Sequence, residues 1–238
     1  MLRPLINFHY WGINIYLLMA LIGLFFAVKS LSDKQKQIHC TPAVRKTLLW
    51  CFSTGLAAGV ICANIANWFL FPAIGEYPLL RRFAEGGFSF YYGMLGFFGI
   101  SALLLKTRKL DYPYWIDRIV PSVLIFHAFG RVGCALEGCC WGREVHLAGL
   151  TFDFPARELE AAALFALYYL FEKKLRRRHF FWYLFCYAIL RFGLEFGRGD
   201  DRGILFVTWL SPAQVTAAVI LLVLGIWELR RRIYHRAL

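Results

Sequence analysis

Runs of about twenty apolar residues recur along this chain, separated only by short polar breaks. A run of that length spans the hydrocarbon core of a bilayer as a helix. Nothing else satisfies the backbone there so simply. Such runs fall at roughly 11–29, 47–71, 88–105, 116–136, 158–171, 180–197 and 211–228. The fifth is short and opens with Glu158 and Glu160. Over 238 residues the composition is 59% hydrophobic and 18% aromatic, above the ~45–50% apolar content of soluble domains. The pattern predicts an all-α polytopic membrane protein of about seven spans, forming a single domain over residues 1–238. The first residues lack the clustered basic region and small-residue cleavage site of a removable leader.

The formal net charge is +12, and its placement argues against nucleic acid. Lys29, Lys34, Lys36, Arg45 and Lys46 follow the first span, and Lys106, Arg108 and Lys109 follow the third. Lys173, Lys174, Arg176, Arg177 and Arg178 follow the fifth, and Arg230, Arg231, Arg232 and Arg236 form the tail. Seventeen of the 27 Lys and Arg residues thus occupy alternate loops. Those loops are on one side, and the positive-inside rule makes it cytoplasmic. The N-terminus is expected outside and the C-terminus inside. The basic loops set topology and meet anionic headgroups.

Under that topology three polar clusters meet the outer half of the membrane. They are "FSFYYGMLGFFG" (88–99), "GRVGCALEGCCWGRE" (130–144) and "RFGLEFGRGDDRG" (191–203). Each ionisable group near mid-helix costs about 2.5–3.5 kcal/mol on insertion scales and usually faces a cavity. Snorkelling to the interface is the alternative for Arg131, Glu137, Arg191 and Glu195. Two arginines on separate helices at similar depth favour a shared anion site. Tyr187, Arg191 and Glu195 are four residues apart and stack on one helix face. His127 precedes Arg131 by four residues, and Cys134 lies three beyond. An Arg191–Glu195 pair could be a local lock, an orienting contact for a phosphate-binding arginine, or both. Gly93, Gly96, Gly99, Gly130, Gly133, Gly193 and Gly197 allow close helix approach or close ligand approach.

These segments resemble the prolipoprotein diacylglyceryl transferase family of bacterial inner-membrane enzymes. "GRVGCALEGCCWGR" resembles the family's GRxGNFxNxExxGR signature, and "YAILRFGLEFGRGDD" is similar to its Tyr-x-x-x-Arg-Phe-x-x-Glu-x-x-Arg run. "LSPAQ" (210–214) resembles its Leu-Ser-x-x-Gln, and "FPARELEA" (154–161) its Pro-x-Gln-x-Tyr-Glu segment with changed residues. The resemblance implies transfer of a diacylglyceryl group from phosphatidylglycerol, or a similar anionic phospholipid, to a cysteine thiol of an exported preprotein. It implies a multi-pass protein of the bacterial cytoplasmic (inner) membrane. It places Arg131, Arg191, Tyr187 and Glu195 in the catalytic group, to which the position of His127, one turn before Arg131, adds a candidate base. Tyr91, Gly93, Gly130, Cys134, Glu137, Gly142, Arg143 and Arg198 would bind substrate. No cofactor and no metal is expected for the transfer. A planar, permanently charged guanidinium suits a phosphodiester whose leaving oxygen gains charge.

The chain departs from the family at several positions. Tyr91 stands where the family has a histidine, Cys134 and Glu137 where it has asparagines, and Cys139 where it has a glutamate. Asn64 stands where an arginine is expected. A tyrosine of ordinary pKa ~10 is a poor base near neutral pH, whereas histidine at ~6.5 is well placed. His127 is the candidate replacement base, with satisfied packing as its alternative, and His9 is a weaker candidate. Cys134, Cys139 and Cys140 have three readings. They are packing or a disulfide from Cys134 to either neighbour, a reactive thiol, or a zinc site completed by His127 or His146. Transfer to a different nucleophile and non-catalytic phospholipid binding are the rival functions.

Overall fold

Local signals in the sequence mark the helix ends. In the computed structural model, which describes residues 15–70, 90–147, 150–175, 177–200 and 209–236, the first helix is α1 (Ile15–Gln37). It stops in a Schellman turn: the Cys40 amide donates to the Gln35 carbonyl and that of His39 to Lys36, with His39 left-handed at φ 48°. Pro42 then opens α2 (Pro42–Leu70), at the helix position where a missing N–H costs nothing. The same device closes α3 (Phe90–Thr107), where Lys109 takes φ 54° and Leu110 donates to Leu105. Asp111 caps α4 (Tyr112–Glu137) by accepting from the Tyr114 amide at 3.2 Å. Gly138, at φ 76°, ends that helix.

Beyond it come β1 (Glu144–Leu147), β2 (Leu150–Asp153), α5 (Ala156–Lys173), α6 (His179–Glu195) and α7 (Pro212–Arg236). The structure is mostly helical, as expected of an all-α protein, with this one short hairpin as an addition among the described residues. Its strands pair antiparallel, Glu144 opposite Asp153 and Val145 opposite Phe152. Val145, Thr151 and Phe152 favour extended backbone, and the segment is too short and polar to show a membrane period. The helices otherwise dominate. Five of them, α1, α2, α3, α4 and α7, hold stretches long and apolar enough to cross a membrane. The α6 helix has 17 residues, and α5 carries Arg157, Glu158, Glu160, Glu172 and Lys173. Leu21, Phe25, Leu222 and Val223 are exposed on α1 and α7, as lipid-facing side chains would be. The ends of the expected spans at 11–14, 71 and 88–89, and His9, lie outside the described residues.

The chain forms two compact units. One contains residues 32–119 and 202–212. Small residues bring α2 and α3 together there. A Cβ built at Gly59 would lie 2.9 Å from the Gly93 carbonyl, and one at Gly96 would lie 2.7 Å from both the Ala58 carbonyl and Cys62 Sγ. Phe97 packs edge-on against Phe52, and Ser101 Oγ donates to the Cys51 carbonyl at 3.4 Å. The other unit contains residues 1–31, 120–201 and 213–238. In it Phe129 of α4 stacks on Phe26 of α1 and meets Phe165 of α5. Trp227 of α7 lies against Phe181 of α6, while Arg178 binds Glu228 at 2.6 Å.

A leucine at Gly96 should therefore force α2 and α3 apart. The expected cost is about 1–3 kcal/mol, as for overpacked cores, read as a lower unfolding midpoint of the detergent-solubilised protein. Gly99→Leu is the control, because nothing lies within 4 Å of a Cβ built there. Equal midpoints for the two variants would contradict the packing described.

Candidate active site

The α5 helix places a carboxylate where its neighbours supply cations. Glu160 is fully buried. Its Oε1 pairs with Arg131 Nε of α4 at 3.0 Å and accepts from the Tyr187 hydroxyl of α6 at 2.9 Å. Its Oε2 lies 3.9 Å from both Arg191 Nη1 and Arg198 Nη1. That spacing is an ion pair beyond hydrogen-bond reach. Among the described residues, Glu160 Oε2 and the two Nη1 atoms make no hydrogen bond. Two guanidinium donors thus converge on one spot with their hydrogens unspent.

Each arginine is oriented by a second carboxylate or a backbone group. Arg191 Nη2 meets Glu195 Oε2 at 2.7 Å one turn along α6. Arg198 grips Asp200 with two parallel bonds, 3.0 and 3.1 Å, the geometry a guanidinium fork favours. Burial lifts the Asp200 carboxyl to about 6 against the opposing pull of Arg198. The backbone around Arg198 is fixed as well. Gly142 bridges it antiparallel, the Arg143 amide donates to Gly197 at 2.7 Å, and Gly199 donates to Trp141 at 3.1 Å. Arg143 Nε caps the Arg198 carbonyl at 3.0 Å, and Arg143 has no carboxylate partner among the described residues. The pairs centred on Arg131, Arg191 and Arg198 are balanced by Glu160, Glu195 and Asp200, so Arg143 adds positive charge beside them.

His127 sits one turn before Arg131 on α4, buried among tyrosines. Its Nδ1 is 3.1 Å from the Tyr183 hydroxyl, and its ring meets that of Tyr187 edge-on at 4.8 Å. Cys134 is buried at the end of the same helix. Cys139 Sγ points to the Cys134 carbonyl at 3.6 Å, and Arg157 Nη1 binds the Cys139 carbonyl at 3.0 Å. The three cysteines are unbridged. Hydrogen bonding with Cys134 and Cys139, aided by Arg198, pulls the Cys140 thiol well below its usual value, while the same sharing raises Cys139. His146 lies on the hairpin, 2.9 Å from Thr151 Oγ1, apart from the sulfur cluster.

The structure brings Arg131, Arg191, Tyr187 and Arg198 to one carboxylate, with Glu195 behind Arg191. Tyr91 and Gly93 belong to the other unit, where Tyr91 is buried and Gly93 packs on Gly59. Gly142 is needed for packing, since a Cβ there would run into the Phe154 carbonyl. Gly130 has open space around it, and Glu137 is half-buried at the end of α4. Sequence reasoning missed Glu160 as the hub and Asp200 as the clamp. Glu160 had a visible signal, an acidic residue ending the segment "FPARELE". Its charge counted there against a membrane span rather than for a site.

A family model described as prolipoprotein diacylglyceryl transferase matches residues 4–229. The chain belongs to that family. Among its curated relatives, phosphatidylglycerol–prolipoprotein diacylglyceryl transferase 2 of Clostridium perfringens is 29% identical over 236 residues, covering 89% of each chain. The phosphatidylglycerol–prolipoprotein diacylglyceryl transferase of Pseudomonas paraeruginosa is 30% identical over 249 residues, covering 95% of this chain and 91% of its own.

Glu160→Gln should leave Arg131, Arg191 and Arg198 facing one another with a charge removed from their centre. Breaking a buried ion pair costs about 3–5 kcal/mol, so unfolding in detergent should shift by that order. Glu158→Gln removes only a pair to Arg157 from a half-exposed carboxylate and should change little. Equal stability of the two variants would contradict the central role of Glu160.

Proposed function

We propose that this protein transfers a diacylglyceryl group from phosphatidylglycerol to a cysteine thiol of an exported prolipoprotein. The observation that carries the reading is the convergence of Arg191 and Arg198 donors beside Arg131, in a chain matched to the family over residues 4–229. The relatives' printed names state that donor and that acceptor. Phosphatidylglycerol presents a single phosphodiester anion. The Nη1 atoms of Arg191 and Arg198, with Arg143 adjacent, would take its phosphate oxygens. The acceptor sulfur would attack the glycerol carbon, the carbon–oxygen bond to phosphate would break, and glycerol phosphate would leave with the electron pair. Fixed guanidinium donors stabilise charge on that oxygen without reorganising. His127 would take the thiol proton, with Tyr183 holding its ring.

The remaining topology is part of the proposal. It places seven spans in one domain, an outer N-terminus and an inner C-terminus, in the bacterial inner membrane. The alternating basic loops support it. Single cysteines introduced into the 172–179 loop should react with membrane-impermeant reagent only after the membrane is opened. Reaction from outside would reverse the orientation.

Tyr91, Cys134 and Cys139, standing where the family has other residues, favour one second reading: the same donor with a different nucleophile as acceptor. Purified protein with labelled phosphatidylglycerol and either a lipobox peptide or its serine counterpart separates the two. The thiol peptide should be labelled. In that assay Arg191→Ala or Arg198→Ala should lose at least ~10²–10³-fold, the cost of one donor to a developing oxyanion, and Arg131→Ala should lose as much by freeing Glu160 to occupy those donors. Arg131→Lys should not restore the rate, because the fork is lost. His127→Gln should slow transfer by ~10²–10⁴-fold, the range for a general base, while lipid binding persists. An unchanged rate returns His127 to packing, and an active Arg131→Ala contradicts the site.

A further inference from the structure

The arginine cluster leaves one group of reactive side chains unused. Cys134, Cys139 and Cys140 place their three sulfurs within 4.8 Å of one another, Cys134 buried and the other two half-buried. Three sulfurs around one zinc-sized ion, each at ~2.3 Å, stand a little under 4 Å apart. Contraction of the present arrangement by at most about an ångström reaches that geometry. The group is built by two different features. The last turn of α4 carries Cys134. The loop after Gly138 carries Cys139 and Cys140, with Cys140 in the left-handed region at φ 60° and the Cys139 carbonyl held by Arg157. Among the described residues no histidine, aspartate or glutamate joins the three sulfurs. Cys140 also lies in the field of Arg198 and Arg131. Three thiolates and a divalent ion carry one net negative charge, which those cations offset.

We propose that Cys134, Cys139 and Cys140 form a three-thiolate site for one zinc-type divalent ion with its fourth place open. Three protein ligands and one exchangeable place is the arrangement of a catalytic rather than a structural zinc. Here a thiol would fill the fourth place. Coordination deprotonates a thiol outright, so the acceptor cysteine would bind as thiolate, its proton passing to His127, the base of the proposed transfer. Its sulfur could then attack the glycerol carbon, with glycerol phosphate leaving as before. This gives a physical reason why Tyr91, a poor base, is tolerated. The identity of the incoming thiol rests on the transferase reading, whereas the metal site does not.

The test uses the full-length protein in detergent, reduced, stripped with chelator and titrated with Co(II) or Zn(II). One Co(II) should bind with sulfur-to-metal charge-transfer absorption, and Zn(II) should displace it. Cys139→Ser and Cys140→Ser should each weaken binding by more than the ~10–100-fold that loss of a supporting residue costs. Cys51→Ser and Cys186→Ser should not. Adding a cysteinyl peptide should increase the charge-transfer absorption, and its serine counterpart should leave it unchanged. Arg191→Ala, which removes a phosphate ligand, should still bind Co(II), so loss of transfer and loss of metal are separable. Binding no stronger than that of a folded Cys139→Ser/Cys140→Ser double variant would overturn the proposal. So would a native disulfide within the trio or occupancy by monovalent copper alone, whereas a cobalt spectrum blind to the cysteinyl peptide would overturn the thiol's place at the metal.

Discussion

A single buried carboxylate organises the arginine cluster of this protein. Moving an unpaired carboxylate or guanidinium out of water costs many kcal/mol, and in a membrane-embedded bundle that cost has to be met inside the protein. Glu160 meets it for three arginines at once. It bonds Arg131 and Tyr187 through one oxygen and draws Arg191 and Arg198 toward the other. Because those partners come from α4, α6 and the loop after α6, one side chain on α5 fixes the relative placement of all of them. One side of the cluster, at Oε1, is paired and hydrogen-bonded, and on the other, at Oε2, the Nη1 donors of Arg191 and Arg198 make no hydrogen bond among the described residues.

The loops serve the same arrangement. Arg198 leaves α6 and enters a short ladder with Gly142, closed by hydrogen bonds from Arg143 and Gly199. Phe154 fills the space that side chains at Gly142 or Gly197 would need. The result is that the Arg198 main chain, from which the guanidinium stem springs, is fixed by backbone hydrogen bonds. Asp200 holds its fork from behind. Arginine geometry is thereby set in advance, as stabilisation of a leaving group in the proposed transfer would require.

Much of this was legible in the sequence, for identifiable reasons. Hydrophobic runs disclosed helices because the bilayer imposes length. The spacing of Tyr187, Arg191 and Glu195 disclosed a common face because helical period is fixed by backbone hydrogen bonds. The Arg191–Glu195 contact follows from that spacing. Glu160 was not legible as a hub, since its partners lie 29, 31 and 38 residues away in Arg131, Arg191 and Arg198 and only packing brings them together. The hairpin at 144–153 is too short to show a period beside the helices. The convergence of Cys134 with Cys139 and Cys140 depends on how α4 ends at Gly138, a left-handed residue whose consequence for three sulfurs appears only in three dimensions.

The central claim is that arginines gathered by Glu160 receive the phosphate of an anionic phospholipid. An experimental structure of the protein with phosphatidylglycerol bound tests it most directly. The account predicts phosphate oxygens at about 3 Å from Nη1 of Arg191 or Arg198, with Glu160 still bonded to Arg131 and Tyr187. A headgroup seated away from these arginines would contradict it.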